Sequence, residues 1–370
     1  MMSRYRARVW LLITLSALGG CATPPRERAP APRPAEVRAQ IIPLLPAQLA
    51  DRAGWASDIQ VAFTALDIPP STSNLCATLA VTAQESGFTV SPVVPGLGRI
   101  ARAEIDRRAA QHHVPQVLVS GALLLKSPNG KRYGERIDAV RTERDLSRIY
   151  EDLIGSVPLG QQLFGDANPV RTAGPMQVSV DFAEQYARVH PYPYPVDGTI
   201  RREVFSRRGG MYFGIAHLLG YPAHYEQPLY RFADFNAGWY ASRNAAFQHA
   251  VSVLTGISLA LDGDLLAYDS HGAGATELAV RTLGARLDLG DAQIHRELAQ
   301  GDSADFEQTD LYRAVFARAD QLQRQPLPRA MVPRIALKSP KITRKLTTAW
   351  YANRVDQRYR QCMARAAPRH

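Results

Sequence analysis

Glu85 is the residue best placed to do acid chemistry. It closes an apolar stretch, in Ala83-Gln84-Glu85-Ser86-Gly87-Phe88. The spacing of Leu75, Leu79 and Ala83 predicts a helix from Ser73 or Asn74 to Ser86, with Gly87 in the left-handed position after its end. A carboxylate at a helix C-terminus meets the negative end of the helix dipole, and apolar neighbours desolvate it. Both effects raise its pKa, and a carboxylic acid kept protonated can protonate a glycosidic oxygen. A solvated surface Glu near a helix end would share this local sequence. Glycosidases with two carboxylates hold them about 5–9.5 Å apart, but no second acid stands out here. Asp181, Glu184 and Asp234 read as solvated or N-terminal helix charges. His112 and His113 are adjacent, so on a helix they point to different faces, and no metal site is expected. No phosphate-cradling glycine loop and no Gly-x-Ser-x-Gly elbow is present, and no cofactor is expected. Arg201-Arg202 and Arg207-Arg208 are solvated pairs or, if they line a cleft, partners for substrate carboxylates.

Three short motifs give Glu85 a context. Glu85-Ser86-Gly87-Phe88 resembles the Glu-Ser-Gly-Phe motif of lytic transglycosylases and goose-type lysozymes. Gly174-Pro175-Met176-Gln177-Val178-Ser179 resembles that family's Gly-Leu-Met-Gln motif, and Ala233-Asp234-Phe235-Asn236-Ala237-Gly238 its Tyr-Asn-Ala-Gly motif. A glycine-containing helix, 209–219, falls between the last two, as in the family. The whole chain also resembles an uncharacterised bacterial lipoprotein family of the same superfamily. There are departures. Phe235 stands where the family has Tyr, so Tyr212, Tyr240 or no residue supplies that hydroxyl. Ser91 is the nearest counterpart of a family Ser that follows the Glu. Residues 99–170 read as an inserted helical subdomain.

The resemblance implies cleavage of peptidoglycan between N-acetylmuramic acid and N-acetylglucosamine. Glu85 would act first as acid and then as base, and attack by the sugar's own 6-hydroxyl would give a 1,6-anhydro product. Gln177 and Asn236 would hydrogen-bond substrate, and Met176 and Phe235 would shape the cleft. The competing reading is a non-catalytic lysozyme-like envelope lipoprotein that binds glycan strands or a partner protein.

The chain reads as mainly α. Helical spacing recurs at Trp55–Leu66, Leu146–Ile154, Met211–Leu219, Ala241–Leu254, Thr276–Leu287 and Phe306–Leu322. Thr142 to Asp145 resembles an acidic capping box. Gln116–Leu125 is an apolar run that fits a strand or a buried helix. The expected architecture is a lysozyme-like helical core over residues 41–330, built around one hydrophobic core, with the insertion 99–170 and a basic C-terminal extension, 331–370. Residues 341–359 keep some helical period, so part of that extension is expected to dock; the rest reads as a solubilising tail or a contact for anionic envelope components.

Arg4, Arg6 and Arg8 precede an apolar run from Val9 to Leu18, the form of a signal peptide over residues 1–20. Leu18-Gly19-Gly20-Cys21 resembles a bacterial lipobox, which implies a lipidated Cys21. Residue Ala22 resembles the pattern of lipoproteins sent to the outer membrane, here facing the periplasm, and residues 21–40 read as the lipidated Cys and a Pro-rich tether. Cys76 and Cys362 are a possible disulfide in an oxidising envelope, or two separate thiols. The net charge of +10 sits at the ends: residues 1–40 carry +5, residues 331–370 carry +9, and the body between them about −4. The body therefore does not read as a nucleic-acid binder. The expected partners are peptidoglycan glycan strands and a membrane met through the lipid anchor. The sequence assigns no oligomeric state.

Overall fold

The computed structural model describes residues 32–156, 168–267, 272–337 and 344–367. The expected signal segment, lipobox and Cys21 lie outside them, as do residues 157–167 of the expected insertion; of the expected tether, residues 34–40 are not extended but belong to a helix that buries Val37. The fold is mainly helical. Among the described residues no helix is long and apolar enough to cross a membrane.

The first helices are α1 (Pro34–Ile41), α2 (Arg52–Ala65) and α3 (Thr72–Glu85). Ser71 caps α3 by accepting from the backbone N–H of Asn74. Residues 75–82 of α3 are all buried, so it runs through the core with no solvent-facing stripe along that stretch. Then come α4 (Leu97–Gln111), α5 (Gln116–Leu124), α6 (Tyr133–Ala139) and α7 (Glu143–Gly155). The Thr142 hydroxyl caps α7 through the N–H of Asp145. A two-stranded antiparallel turn, β1 (Thr172–Ala173) and β2 (Val178–Ser179), leads into α8 (Val180–Val189).

Next are α9 (Ile200–Val204), α10 (Arg207–Leu219), α11 (Pro228–Ala237) and α12 (Ala241–Thr255). The expected helix over 276–287 is split into α13 (Ala275–Arg281) and α14 (Gly284–Leu287). After α15 (Asp291–Leu298) and α16 (Asp310–Gln323), the short strands β3 (Ala336–Leu337) and β4 (Leu346–Thr347) pair ahead of α17 (Thr348–Ala366).

Among the described residues the apolar side chains form two clusters, where the sequence reading expected one. The larger joins α1–α3, residues of α4, α6 and α7, the β1–β2 turn, α8, α10, α11 and α17. The smaller joins α12 to α16 around Phe247, Phe306 and Phe316. Gln116–Leu125 resolves as helix, but not a buried one: only Val119 of α5 is buried.

Residues 346–367 are not a loose tail. Helix α17 packs against α3 and α11, with Tyr351, Ala352, Val355 and Cys362 buried. Its sequence has the matching apolar stripe; Arg354, Arg360 and Arg365 are exposed, while Arg358 donates to Gln84 Oε1 of α3 at 3.2 Å. Cys76 and Cys362 are joined by a disulfide with Cα atoms 5.5 Å apart. The Tyr359 and Ser73 hydroxyls, 3.0 Å apart, add a second tie between the two helices.

Candidate functional site

The end of α3 meets the β1–β2 turn. The Ser86 hydroxyl donates to the carbonyl of Pro175 at 2.7 Å, which joins the Glu-Ser-Gly-Phe segment to the Gly-Pro-Met-Gln segment. The chain then leaves the helix through two left-handed residues, Gly87 and Phe88, with φ of 58° and 65°. That conformation is strained for Phe88, and burial of its ring edge-on to Trp55, with centroids 5.4 Å apart, holds it.

The turn is built on glycine. Gly174 has φ of 75°, and a Cβ there would sit 2.3 Å from the carbonyl oxygen of Val204. Met176 is fully buried against Gly214 of α10, so it anchors the turn and presents no surface to a ligand. The side chain of Gln177 is engaged within the turn, donating to the Gly174 carbonyl at 3.0 Å and accepting from the Thr172 hydroxyl at 3.3 Å. Phe235 is nearly buried beside the His217 ring. Ser91 makes no hydrogen bond among the described residues, and the structure does not tie it to Glu85.

The hydroxyl facing Glu85 comes from a residue the sequence reading did not single out. Tyr351, in the first turn of α17, acts on the Glu85 carboxyl, and Glu85 in turn acts on the buried Tyr351 hydroxyl. The contact falls short of a fully formed hydrogen bond, and the hydroxyl has no other partner among the described residues. Tyr212 and Tyr240 point elsewhere: their hydroxyls donate to the carbonyls of Pro191 and Pro222. One turn before Tyr351, the Thr348 hydroxyl donates to Asn236 Oδ1 at 2.9 Å. The first turn of α17 therefore touches both Glu85 and Asn236. The helical period of residues 341–359 was the available signal, although nothing local in the sequence ties position 351 to position 85.

Burial is the main influence on Glu85. It pushes the carboxyl up to about 7, opposed by the Tyr351 hydroxyl. Near neutral pH such a group both gives and takes protons. Asp234 is no solvated helix charge. It is fully buried, accepts from the hydroxyls of Tyr221 at 2.9 Å and Tyr225 at 2.6 Å and from the Ser242 N–H at 2.7 Å, and so stitches α11 to the start of α12. Asp181 is exposed and pairs with Arg171 at 3.3 Å, and Glu184 faces Arg201 at 3.7 Å. The arginine pairs are committed internally. Arg201 donates to the Val170 carbonyl, Arg202 pairs with Glu151, Arg207 with Asp51 and Asp58, and Arg208 with Glu203.

Beside Phe235 the side chains of Trp239, Phe182, Tyr186 and His190 form a continuous aromatic run. Successive ring centroids are 5.4, 5.4 and 3.9 Å apart. His217 lies under it, pushed down to about 4 by burial and therefore neutral at physiological pH. Among the described residues no group of three or more metal-ligating side chains is found.

No solved structure matches this chain. It is 54% identical over 357 residues to the "Uncharacterized protein YaiW" of Escherichia coli (strain K12), covering 95% of this chain and 96% of that one. Residues 48–365 match the family described as "Protein of unknown function (DUF1615)". That span takes in α2 through nearly all of α17, and the chain belongs to this family.

Proposed function

We propose that the protein is a lipid-anchored, lytic-transglycosylase-like enzyme of the bacterial envelope that cleaves peptidoglycan between N-acetylmuramic acid and N-acetylglucosamine. The observation that carries this reading is the Glu85 carboxyl, pushed up to about 7 where the Glu-Ser-Gly-Phe segment meets the Gly-Pro-Met-Gln turn. In this reading the core is lysozyme-like and residues 99–170 are an insertion into it.

Glu85 protonates the glycosidic oxygen, and the bond to the anomeric carbon breaks. The substrate's acetamido group stabilises the cation that is left. Glu85, now a carboxylate, takes the proton of the 6-hydroxyl as that oxygen closes the anhydro ring. The Tyr351 hydroxyl facing the carboxyl favours its ionised form. The acid is regenerated at the end of the cycle, so one carboxyl suffices. Phe182, Tyr186 and Trp239 offer apolar ring faces of the kind on which sugar rings stack.

A second reading has its own observation. Thr348 engages Oδ1 of the otherwise exposed Asn236 and Tyr351 faces Glu85, so α17 contacts both a residue assigned to substrate and the assigned acid. A protein that only binds glycan strands or a partner would tolerate that arrangement. Glu85→Gln separates the two readings. For an enzyme it lowers release of soluble muropeptides from purified peptidoglycan by about 10²–10⁴-fold. For a binding protein it leaves retention on peptidoglycan unchanged, with no release by either form.

A further inference from the structure

Helix α5 exposes the residues that a helix of its composition would normally bury. Its sequence, Gln-Val-Leu-Val-Ser-Gly-Ala-Leu-Leu, is apolar on nearly every side, and such helices belong in a core or at a membrane. Yet Val117 is 75% exposed, Leu118 62%, Leu124 59% and the following Leu125 52%. With Gly121, whose Cα faces open space, these positions share one face by the i, i+4, i+7 rule. Val119, Ala122 and Leu123, together with one side of Leu118, line a largely apolar cavity of about 390 Å³ shared with α4 and α7. So α5 rests on a shallow apolar hollow and turns an apolar stripe outward.

The sequence around α5 is net basic. Residues 99–140 carry eight Arg and Lys against four Asp and Glu, in a body that is otherwise net acidic. Each of the four acids is already engaged. Glu104 pairs with Arg107 and Arg108, and Asp138 with Arg102. Asp106 accepts from Gln116, and Glu135 from the Arg132 backbone N–H. Lys126, Lys131 and Arg132 follow α5 directly, are exposed, and form no ion pair among the described residues.

We infer that α5 and the Lys126–Arg132 turn form a contact surface for an anionic lipid bilayer. The Val117, Leu118, Leu124 and Leu125 side chains enter the interface, and the three cations meet lipid phosphates. A helix lying in the interface with apolar residues down and cations at its flank is the general form of a peripheral membrane contact. The inference does not depend on the catalytic reading, and its test excludes the proposed anchor.

The test uses the chain from residue 22 onward, which contains every described element, mixed with large vesicles. It is expected to co-sediment with phosphatidylglycerol-containing vesicles, more weakly with pure phosphatidylcholine, and less as salt rises. The double substitution Val117→Ser/Leu124→Ser should lower the partition coefficient about tenfold with unchanged helical circular dichroism. Lys126→Gln/Lys131→Gln should remove the preference for anionic vesicles. The inference is overturned if the folded chain ignores anionic vesicles, or if both variants bind as well as the parent. It is equally overturned if sedimentation velocity shows a dimer that Val117→Ser/Leu124→Ser dissociates, because the stripe would then be covered by a second copy.

Discussion

Glu85 carries a stability signature that can be read without a substrate. Its carboxyl is pushed up to about 7 in the folded chain, above its ordinary value of 4.5. The protonated form therefore stabilises the fold, fully below about pH 4.5, and this contribution is lost as pH rises through about 7. Glu85→Gln mimics the protonated form. Urea unfolding should show equal stabilities near pH 4, and above pH 7.5 a variant more stable than the parent by on the order of 3 kcal/mol. Tyr351→Phe works in the opposite sense on ionisation. The hydroxyl favours the carboxylate, so its loss raises the Glu85 pKa further and moves the alkaline limb of the activity profile upward. The stability change should be small, since the hydroxyl forms no complete hydrogen bond. An unchanged pH profile would show that Tyr351 does not act on Glu85. The sequence disclosed the acid through its apolar helix and the Gly87 that follows. It did not disclose Tyr351, because a partner more than 260 positions away leaves no local periodicity or spacing to read.

Helix α17 is the element that completes the site. It is tied to α3 by the Cys76–Cys362 disulfide at one end and by the Glu85–Tyr351 contact at the other. A cross-link spanning 286 residues restricts the unfolded chain strongly. The double substitution Cys76→Ser/Cys362→Ser should cost about 2–5 kcal/mol in denaturant unfolding. Reduction of the parent protein should approach the same value, and a stability unaffected by either would mean that packing alone holds α17. Helix existence was largely readable at this scale, since α2, α3, α7, α10, α12 and α16 follow their apolar spacing. The environment of α5 was not, because an apolar run looks the same whether neighbours cover it or leave it open. Asp234 misled for a related reason. Its charge suggested solvent, while its three donors come from Tyr221, Tyr225 and Ser242, outside its own helix.

At the scale of the whole molecule, the end of α3, the β1–β2 turn, the end of α11 and the start of α17 are linked through residues 86 and 175, 85 and 351, and 236 and 348. The arginine pairs that might have met substrate carboxylates instead brace this framework. Mainly helical architecture could be read from the spacing. The division of the apolar residues into two clusters could not, because spacing tells which face is buried and not which neighbour buries it. The central claim is that this framework holds Glu85 for glycosidic cleavage with ring closure. The most direct test is digestion of purified peptidoglycan by the chain lacking residues 1–21, with products read by mass spectrometry beside Glu85→Gln. 1,6-Anhydro-muropeptides are expected from the parent and none from the variant. Reducing-end muropeptides would contradict the ring-closing step, and no product from a folded parent that still binds glycan would contradict catalysis itself.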